Sequence, residues 1–265
     1  MTDLVLIDGS SYLYRAFHAL PPLTSSKGEP TGALHGVLTM IQKLIREEQP
    51  EYVAVVFDAP GKTFRDELYE DYKATRPPMP DDLRSRVQPI LDVVEAMGLP
   101  LLRVPGVEAD DVIGTLCKQA TGRGLNVLVS TGDKDLAQLV NDHVTLINTM
   151  NDSRMDRDGV KAKFDVYPEQ IVDYLALVGD TSDNIPGVPK VGPKTASKWL
   201  NQYSSAAGIV ENADEIKGKV GDSLRASIES LRLSRELATI REDVDLEVGV
   251  DNLKPGSADT PRLRE

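Results

Sequence analysis

The sequence predicts an α/β fold with a mostly parallel central sheet, helices on both faces and a C-terminal helical lobe. Short runs of consecutive apolar residues recur through the first half of the chain, which is typical of parallel strands buried on both faces. Amphipathic helical patterns lie between these runs, as connections between parallel strands require. From about Tyr167 onward only helical patterns follow.

Five apolar runs are predicted strands. They are LVLID (4–8), YVAVVFD (52–58), LPLLRV (99–104), NVLVSTGD (126–133) and VTLIN (144–148). The first, second and fourth runs end at Asp8, Asp58 and Asp133, and the chain continues from LPLLRV to Glu108. Ligands of such sheets bind outside the carboxyl ends of the strands, so we expect these acids to meet at one edge. A rim of solvated acids is the alternative, but scattered acids need not recur at successive strand ends.

Helical periodicity fills the intervals and the C-terminal part. The predicted helices are GALHGVLTMIQKLIREEQ (32–49), DDVIGTLCKQA (110–120), PEQIVDYLALVG (168–179) and the segments 192–201, 222–231 and 232–240. A further helix is expected after 79, with Pro89 as a kink or boundary. We therefore divide the chain into a core over 1–166, a helical lobe over 167–250 and a flexible tail over 251–265, which is polar and rich in proline, glycine and charge.

Composition limits the function classes. The chain has 265 residues, ordinary hydrophobic (40%) and charged (27%) fractions and a net charge of −12. Its one cysteine, Cys117, excludes an intramolecular disulfide and CxxC metal sites, and is expected to be a buried thiol. The start of the chain does not resemble a signal peptide and no long apolar run is present, so we expect a cytoplasmic protein that is not inserted in a membrane. The net charge alone argues against nucleic-acid binding, but it does not locate the charges.

Crowded carboxylates are the strongest chemical signal. Two carboxylates about 5 Å apart repel by roughly 3 kcal/mol at an effective dielectric near 20. The segment GVEADDVIGTL nevertheless holds three of them in four positions. Two further pairs have spacings that place both acids on one side of a strand end or helical turn. With the strand-end acids, the set is Asp8, Asp58, Glu108, Asp110, Asp111, Asp133, Asp135, Asp180 and Asp183.

Oxygen-only ligands suit hard cations such as Mg²⁺ or Mn²⁺. The three histidines, His18, His35 and His143, lie away from the carboxylate motifs, so a zinc site is not expected. So many carboxylates suit two ions about 3.5–4 Å apart, the arrangement used for phosphodiester cleavage. The alternative is that each acid merely caps a helix or solvates a loop.

The segment NIPGVPKVGPKTASKWL (184–200) combines turn-forming glycines, Gly187 and Gly192, with three lysines and no acid. The lysines are Lys190, Lys194 and Lys198. A helix is predicted to begin just after Gly192, and free amides at a helix N-terminus bind phosphate. The pattern is that of a helix–hairpin–helix motif, which grips a DNA backbone without reading sequence. A plain turn between helices is the alternative.

The segment 61–78 has no net charge, but a helical arrangement would separate its charges. Basic and tyrosine side chains would then share one face, which suits the phosphates and bases of a single strand. They are Lys62, Arg65, Tyr69, Tyr72, Lys73 and Arg76. Ordinary ion pairing on a solvated helix is the alternative.

Five long motifs resemble the 5′-nuclease (flap endonuclease) family, most closely the N-terminal 5′–3′ exonuclease domain of bacterial DNA polymerase I. They are LIDGSSYLYRAFHALPPLTSSKGEPTGALHGV, VVFDAPGKTFRDELYEDYKATRPPMPDDL, GVEADDVIGTL, STGDKDLAQLV and LVGDTSDNIPGVPKVGPKTA. The resemblance covers residues 3 to about 250. It implies a PIN-like core with a helical arch over about 61–97 and a metal-dependent nuclease that removes 5′ flaps and RNA primers in DNA replication and repair.

By the same resemblance, all nine carboxylates bind two Mg²⁺ (or Mn²⁺) ions. Asp58, Lys73 and Arg76 are catalytic, and Lys73 and Arg76 contact the scissile phosphate. Tyr12 and Arg15 are expected to touch the substrate, and the glycine loop to grip the duplex with a potassium ion. The family also implies a monomer at the bacterial nucleoid, with a DNA polymerase domain as a covalently linked partner.

Two other interpretations stay open at this point. A DNA-junction-binding paralogue without catalysis would have substituted acids, and none of the nine is substituted. A phosphotransferase of the haloacid-dehalogenase type is suggested by LVLIDGS, but that chemistry requires an aspartate where Ser10 stands.

Overall fold

The computed structural model describes residues 2–19 and 31–264. Its centre is one sheet of six strands. In chain order these are β1 (Leu4–Asp8), β2 (Tyr52–Val56), β3 (Leu101–Leu102), β4 (Val127–Ser130), β5 (Val144–Asn148) and β6 (Ser153–Met155). Their order across the sheet is β3-β2-β1-β4-β5-β6. The first five are mutually parallel, and β6 pairs antiparallel with β5.

Eleven α-helices are found within the described residues. They are α1 (Gly9–Ala19), α2 (Gly32–Glu48), α3 (Phe64–Leu68), α4 (Asp81–Ala96), α5 (Ala109–Thr121), α6 (Arg157–Phe164), α7 (Ile171–Val178), α8 (Pro193–Tyr203), α9 (Ala206–Glu211), α10 (Gly218–Ala226) and α11 (Ile228–Ala238). In that part of the chain, none is both long and apolar enough to cross a membrane. The predicted α/β class is confirmed, whereas β6, α1, α6 and α9 were not predicted.

The sheet is covered on both faces, which explains the continuous apolar runs. Val5 and Ile7 of β1 pack into a cluster with residues of α1, α2 and α4, whereas Leu4 and Leu6 face a second cluster that includes α5. Each fully buried aliphatic side chain contributes about 1.5–3 kcal/mol. All five residues of β1 are buried, so this central strand is fixed from both sides.

The helical lobe shares the second cluster. Leu177 of α7 and Leu200 of α8 are completely buried there together with side chains of α5 and the sheet. Helices α7 and α11 also pack against each other. The lobe is therefore anchored on the sheet through a continuous apolar core rather than attached by a linker alone.

The segment 61–78 is not the single helix that its charge pattern indicated. Only α3 is helical, and turns follow it to residue 76. Lys73 has a positive φ of 56°, and its amide donates to the carbonyl oxygen of Asp183 at 2.9 Å. Contacts with the lobe therefore override the local helical preference. Pro89 is neither a boundary nor a helix end, because α4 continues through it.

Parts of the expected flexible tail are hydrogen-bonded to the core, although most of residues 251–263 are exposed. Leu253 is 1% exposed, and its carbonyl oxygen accepts a hydrogen bond from the amide of Val53. The amides of Gly256 and Asp259 donate to carbonyl oxygens at the end of α4, each at 2.7 Å. Backbone pairing of this kind is not visible in composition, so the polar character of the tail does not reveal these contacts.

Candidate active site

A cavity of about 480 Å³ opens at the carboxyl ends of β1, β2 and β4. Eight of the nine predicted carboxylates line it: Asp8, Asp58, Glu108, Asp110, Asp133, Asp135, Asp180 and Asp183. The parallel strands deliver the strand-end acids to one edge. The start of α5 and the loop after α7 bring the remaining acids to the same place. Asp111 does not line the cavity.

Asp8 and Asp58 are held by neighbouring backbone and hydroxyl groups. Asp8 is buried and accepts hydrogen bonds from the amide of Ser11 (2.8 Å) and the hydroxyl of Thr131 (2.7 Å). Asp58 is exposed, and its Oδ1 accepts from the amide of Ala109 at 2.8 Å. The ends of β1, β2 and β4 and the first turn of α5 are therefore connected through these two carboxylates.

Asp133, Asp135 and Asp180 lie on two loops that face each other. Asp133 Oδ1 accepts from the amide of Asp135 at 2.9 Å, which orders the turn after β4. Asp180 Oδ1 accepts from the amide of Ser182 at 2.8 Å. Asp183 follows one turn later and is buried. The predicted spacings therefore do bring both pairs to the cavity.

Besides the buried Arg65, three partly exposed cations among the described residues bind carboxylates inside the cavity. Lys73 pairs with Glu108 (2.5 Å), Lys134 pairs with Asp180 (2.5 Å), and Arg76 pairs with Asp183. Lys73 and Arg76 were predicted to lie here, and they do. Lys134 was missed, although a lysine between two strand-end acids in GDKD was a visible signal.

Burial raises the pKa of several of these carboxyls. It raises the pKa of Asp8 to about 7 and that of Asp135 to about 8, and the negative charge of Asp133 adds to both shifts. Burial and then Asp133 also raise the pKa of Asp110 well above its usual range. For Asp180, burial opposes ionisation, but hydrogen bonds from Lys134 and Ser182 outweigh it and lower the pKa to about 2.

These residues fit divalent cations by donor type and charge. All eight acids offer oxygen ligands of the kind that Mg²⁺ and Mn²⁺ prefer. Asp135 Oδ1 is buried without a hydrogen-bond partner, and a buried unpaired carboxylate oxygen is costly unless a cation meets it. Within residues 2–19 and 31–264, no three His, Cys, Asp or Glu side chains form a preformed ion site.

Asp111 corrects the predicted ligand set. Its side chain is fully buried, and both carboxylate oxygens accept hydrogen bonds from Arg65, at 2.7 and 2.8 Å. The spacing of three residues from Glu108 indicated a shared face. The side chain instead points into the protein, where Arg65 neutralises it.

The predicted basic face is corrected as well. Arg65 is 2% exposed and Tyr72 is 5% exposed, so neither forms part of an open nucleic-acid surface. The hydroxyl of Tyr72 lies 3.3 Å from carboxylate oxygens of both Glu108 and Asp183. Lys62 is exposed and Tyr69 is half-buried.

In the segment after β1, the structure places one predicted substrate contact in the core. Tyr12 is 0% exposed, and its hydroxyl pairs with Ser130 at 2.5 Å, so it belongs to the core. Arg15 is half-buried and lines the cavity. Residues 20–30, which belong to the same predicted motif, lie outside the described residues.

The glycine loop packs closely against the end of α7. Gly187 has a φ of +64°, and a Cβ there would lie 2.6 Å from the amide nitrogen of Gly179. Gly192 precedes α8 as its N-cap residue, and Pro193 begins that helix. Lys190, Lys194 and Lys198 are exposed and have no ion pair with the described residues. The loop therefore presents positive charge to solvent.

Comparisons with known proteins agree along the whole chain. A family model described as 5′-3′ exonuclease, N-terminal resolvase-like domain, matches residues 3–165. A second, described as 5′-3′ exonuclease, C-terminal SAM fold, matches residues 166–261. The chain is 44% identical over 265 residues to a 5′-3′ exonuclease of Aquifex aeolicus, covering 100% of this chain and 91% of that protein.

The chain is also 55% identical over 261 residues to DNA polymerase I of Pseudomonas aeruginosa. That match covers 96% of this chain and 29% of the polymerase, so the chain spans less than a third of that relative. Among solved structures, T5 5′-exonuclease with bound zinc has a TM-score of 0.77 at 22% identity, covering 89% of both chains. The catalytic core of Rad2 in complex with DNA has a TM-score of 0.63 at 13% identity, covering 99% of this chain and 86% of that one. The structures share the fold, and the two family models show that the chain belongs to the 5′-3′ exonuclease family.

Proposed function

We propose that this chain is a metal-dependent, structure-specific 5′ nuclease that hydrolyses phosphodiesters near junctions of single-stranded and duplex DNA. The observation that carries the proposal is the cavity itself. Eight carboxylates, Lys73 and Arg76 line one opening at the carboxyl edge of the sheet. Membership of the 5′-3′ exonuclease family supports the same reaction class.

Two groups of carboxylates would hold two Mg²⁺ (or Mn²⁺) ions. The first consists of Asp8, Asp58, Glu108 and Asp110, and the second of Asp135, Asp180 and Asp183. The charge of Asp133 acts on both groups. It raises the pKa of Asp8 and Asp110 in the first group and that of Asp135 in the second. Divalent ions in these positions supply a nucleophile at neutral pH and stabilise negative charge on the phosphate.

Lys73, Arg76 and Asp58 are the chain's own catalytic groups in this proposal. Lys73 and Arg76 are partly exposed at the cavity, where a phosphate of the substrate would compete for them with Glu108 and Asp183. Arginine and lysine bind phosphate strongly when they are partly desolvated. Asp58 has one oxygen held by the amide of Ala109 and is exposed at the cavity, so it can orient a group of the substrate or water.

The lobe would grip the duplex through its exposed lysines. Lys190 lies just before the turn into α8, Lys194 and Lys198 lie in that helix, and all three are exposed. Such contacts bind phosphates without reading sequence. Together with the family resemblance, they support a potassium ion at this loop and 5′ flaps, nicked or 5′-ended duplexes and RNA primer strands as substrates.

We further propose that the chain acts as a monomer and that a DNA polymerase domain is its covalently linked partner. The match to part of the P. aeruginosa polymerase supports the linkage. The similar A. aeolicus exonuclease supports activity without that domain.

Cleavage of a 5′-labelled flap DNA, in Mg²⁺ and in EDTA, tests the proposal. We expect cutting near the junction only when the metal is present. Tight junction binding without cutting under any divalent ion would move the chain to the class of non-catalytic junction binders. No binding to flap DNA would reject both.

A further inference from the structure

The buried ion pair between Arg65 and Asp111 lies directly behind the cavity. Arg65 is on α3 and Asp111 in the first turn of α5, and their side chains are 3% and 0% exposed. Two parallel hydrogen bonds of 2.7 and 2.8 Å connect the guanidinium and the carboxylate. This bidentate geometry is the strongest form of such a pair. The ion pair joins the segment that carries Glu108 to the segment that carries Lys73.

Both partners also bind backbone groups at the end of α11 in the lobe. Arg65 Nε donates to the carbonyl oxygen of Leu237 at 2.9 Å, and its Nη2 donates to that of Thr239 at 2.8 Å. Asp111 Oδ1 accepts from the amide of Arg241 at 2.9 Å. The pair therefore binds three backbone groups of the lobe, one of which, the carbonyl of Leu237, belongs to a buried residue.

The same pair orients the turn that presents carboxylates to the cavity. Asp111 Oδ2 accepts from the amide of Glu108 at 3.0 Å, and Arg65 Nη1 lies 3.5 Å from a carboxylate oxygen of Glu108. The next amide in the turn, that of Ala109, holds Asp58. One ion pair thus fixes the backbone that places Glu108, Asp110 and Asp58.

We propose that Arg65 and Asp111 are positioning residues that transmit the docking of the helical lobe to the carboxylates of the cavity. Asp111 acts on the cations through Glu108 rather than as a ligand. A buried ion pair gives little net stability compared with an apolar pair of similar size. We therefore attribute to this pair the orientation of the Glu108 turn rather than the stability of the fold. Groups that orient metal ligands typically change metal affinity or activity 10–100-fold when they are removed.

The test compares two variants with wild type. The double variant Arg65→Met/Asp111→Leu removes both charges together and leaves no unpaired buried ion. Arg65→Lys keeps the charge but cannot make the four hydrogen bonds of the guanidinium. The matched control is Arg235→Met/Asp173→Leu, because that ion pair (2.7 Å) joins α11 to α7 without touching the cavity acids.

Three readouts separate positioning from general destabilisation. They are Mn²⁺ binding without DNA, urea unfolding, and the kcat and KM for a flap substrate. We expect the double variant to fold, to bind Mn²⁺ at least tenfold more weakly and to lose at least tenfold in kcat, with KM within about threefold of wild type. The control should keep wild-type Mn²⁺ affinity and kcat.

Wild-type Mn²⁺ affinity and kcat in the folded double variant would overturn the inference, as would equal losses in the control. If the double variant does not fold, Arg65→Lys decides: weaker Mn²⁺ binding supports positioning. Unchanged binding contradicts it, because Arg65 would then not influence the site. Tighter binding contradicts it as well, because a carboxylate freed from Arg65 would then be serving as a ligand. The kcat readout rests on the proposed function. A wild-type chain that binds Mn²⁺ but does not cut refutes only that function, whereas one that binds no Mn²⁺ refutes both.

Discussion

Lys73 and Glu108 form a 2.5 Å ion pair between the turn region after α3 and the N-cap residue of α5. The lysine stands at a positive φ, and its amide is bound to the lobe through Asp183. Three parts of the chain therefore meet at one ammonium group. Because that group lies beside the carboxylates, a phosphate entering the cavity would be within its reach.

Replacing this ammonium should impair catalysis more than binding. For Lys73→Met we expect a fall in kcat of about 100-fold or more, since donors that stabilise transition-state charge contribute on this scale. Binding of flap DNA in Ca²⁺ should change less than threefold. Lys118→Met, an exposed lysine in the last turn of α5 that does not line the cavity, is the control and should cleave normally. A kcat within threefold of wild type for Lys73→Met would remove the lysine from the mechanism.

Asp133 should be indispensable, because its charge acts on both groups of carboxylates. We expect Asp133→Asn to abolish cleavage in single-turnover assays while leaving junction binding largely intact. Asp152→Asn changes an exposed aspartate paired with Lys43 and should have no effect. Retained turnover in Asp133→Asn would refute the assignment of the metal site.

The raised pKa values predict how stability depends on pH. In EDTA, the folded chain holds protons on Asp8 up to about pH 7 and on Asp135 up to about pH 8, whereas the unfolded chain releases them near pH 4. The free energy of unfolding should therefore fall as pH rises from about 4 to 8. Mg²⁺ binds the ionised carboxylates of the folded state and should restore stability most at the upper end of that range.

Urea unfolding at pH 5 and 8.5, with EDTA or Mg²⁺, measures this dependence. Asp180 contributes with the opposite sign, because its pKa is lowered to about 2. Its stabilisation is present above about pH 4 and is lost between 4 and 2. Asp8→Asn should flatten the decline between pH 4 and 7. Equal stabilisation by Mg²⁺ at both pH values would contradict the origin proposed for the shifts.

The loop lysines should control the salt dependence of binding. Each phosphate contact contributes about 0.9 to the slope of log K against log salt for duplex DNA. We expect Lys190→Gln, Lys194→Gln and Lys198→Gln each to reduce that slope by about 1 without changing single-turnover cleavage at saturating DNA. Lys219→Gln, an exposed lysine of α10, is the control. Unchanged slopes would mean that the duplex binds elsewhere.

The sheet and the acid cluster were predictable because both follow from simple periodicity. Buried parallel strands must be apolar throughout, and their carboxyl ends must share an edge. Eight carboxylates could therefore be assigned to one place without any knowledge of side-chain geometry. Asp111 could not be separated from them, because the spacing does not reveal that Arg65 lies beneath that turn.

The prediction of a helix over 61–78 was wrong for a related reason. Its charges fit a helix, yet Arg65, Tyr72 and Lys73 each have a partner more than 30 residues away in the sequence. Such long-range contacts outweigh the few tenths of a kcal/mol that each local pair contributes. The contacts of the polar tail with the end of α4 could not be predicted either, because they are made by backbone amides, which any sequence provides.

The cations Lys73 and Arg76 should couple the binding of metal ions to the binding of a substrate phosphate in the cavity. Lys73 and Arg76 neutralise Glu108 and Asp183, so a phosphate that attracts these cations returns free carboxylates to the site. Metal ions bound to the same carboxylates would release the cations to the phosphate. Thermodynamic linkage makes this coupling reciprocal: substrate should tighten metal binding by the same factor by which metal tightens substrate binding. The complex with both metal and substrate would then be favoured over the complexes with metal alone or substrate alone.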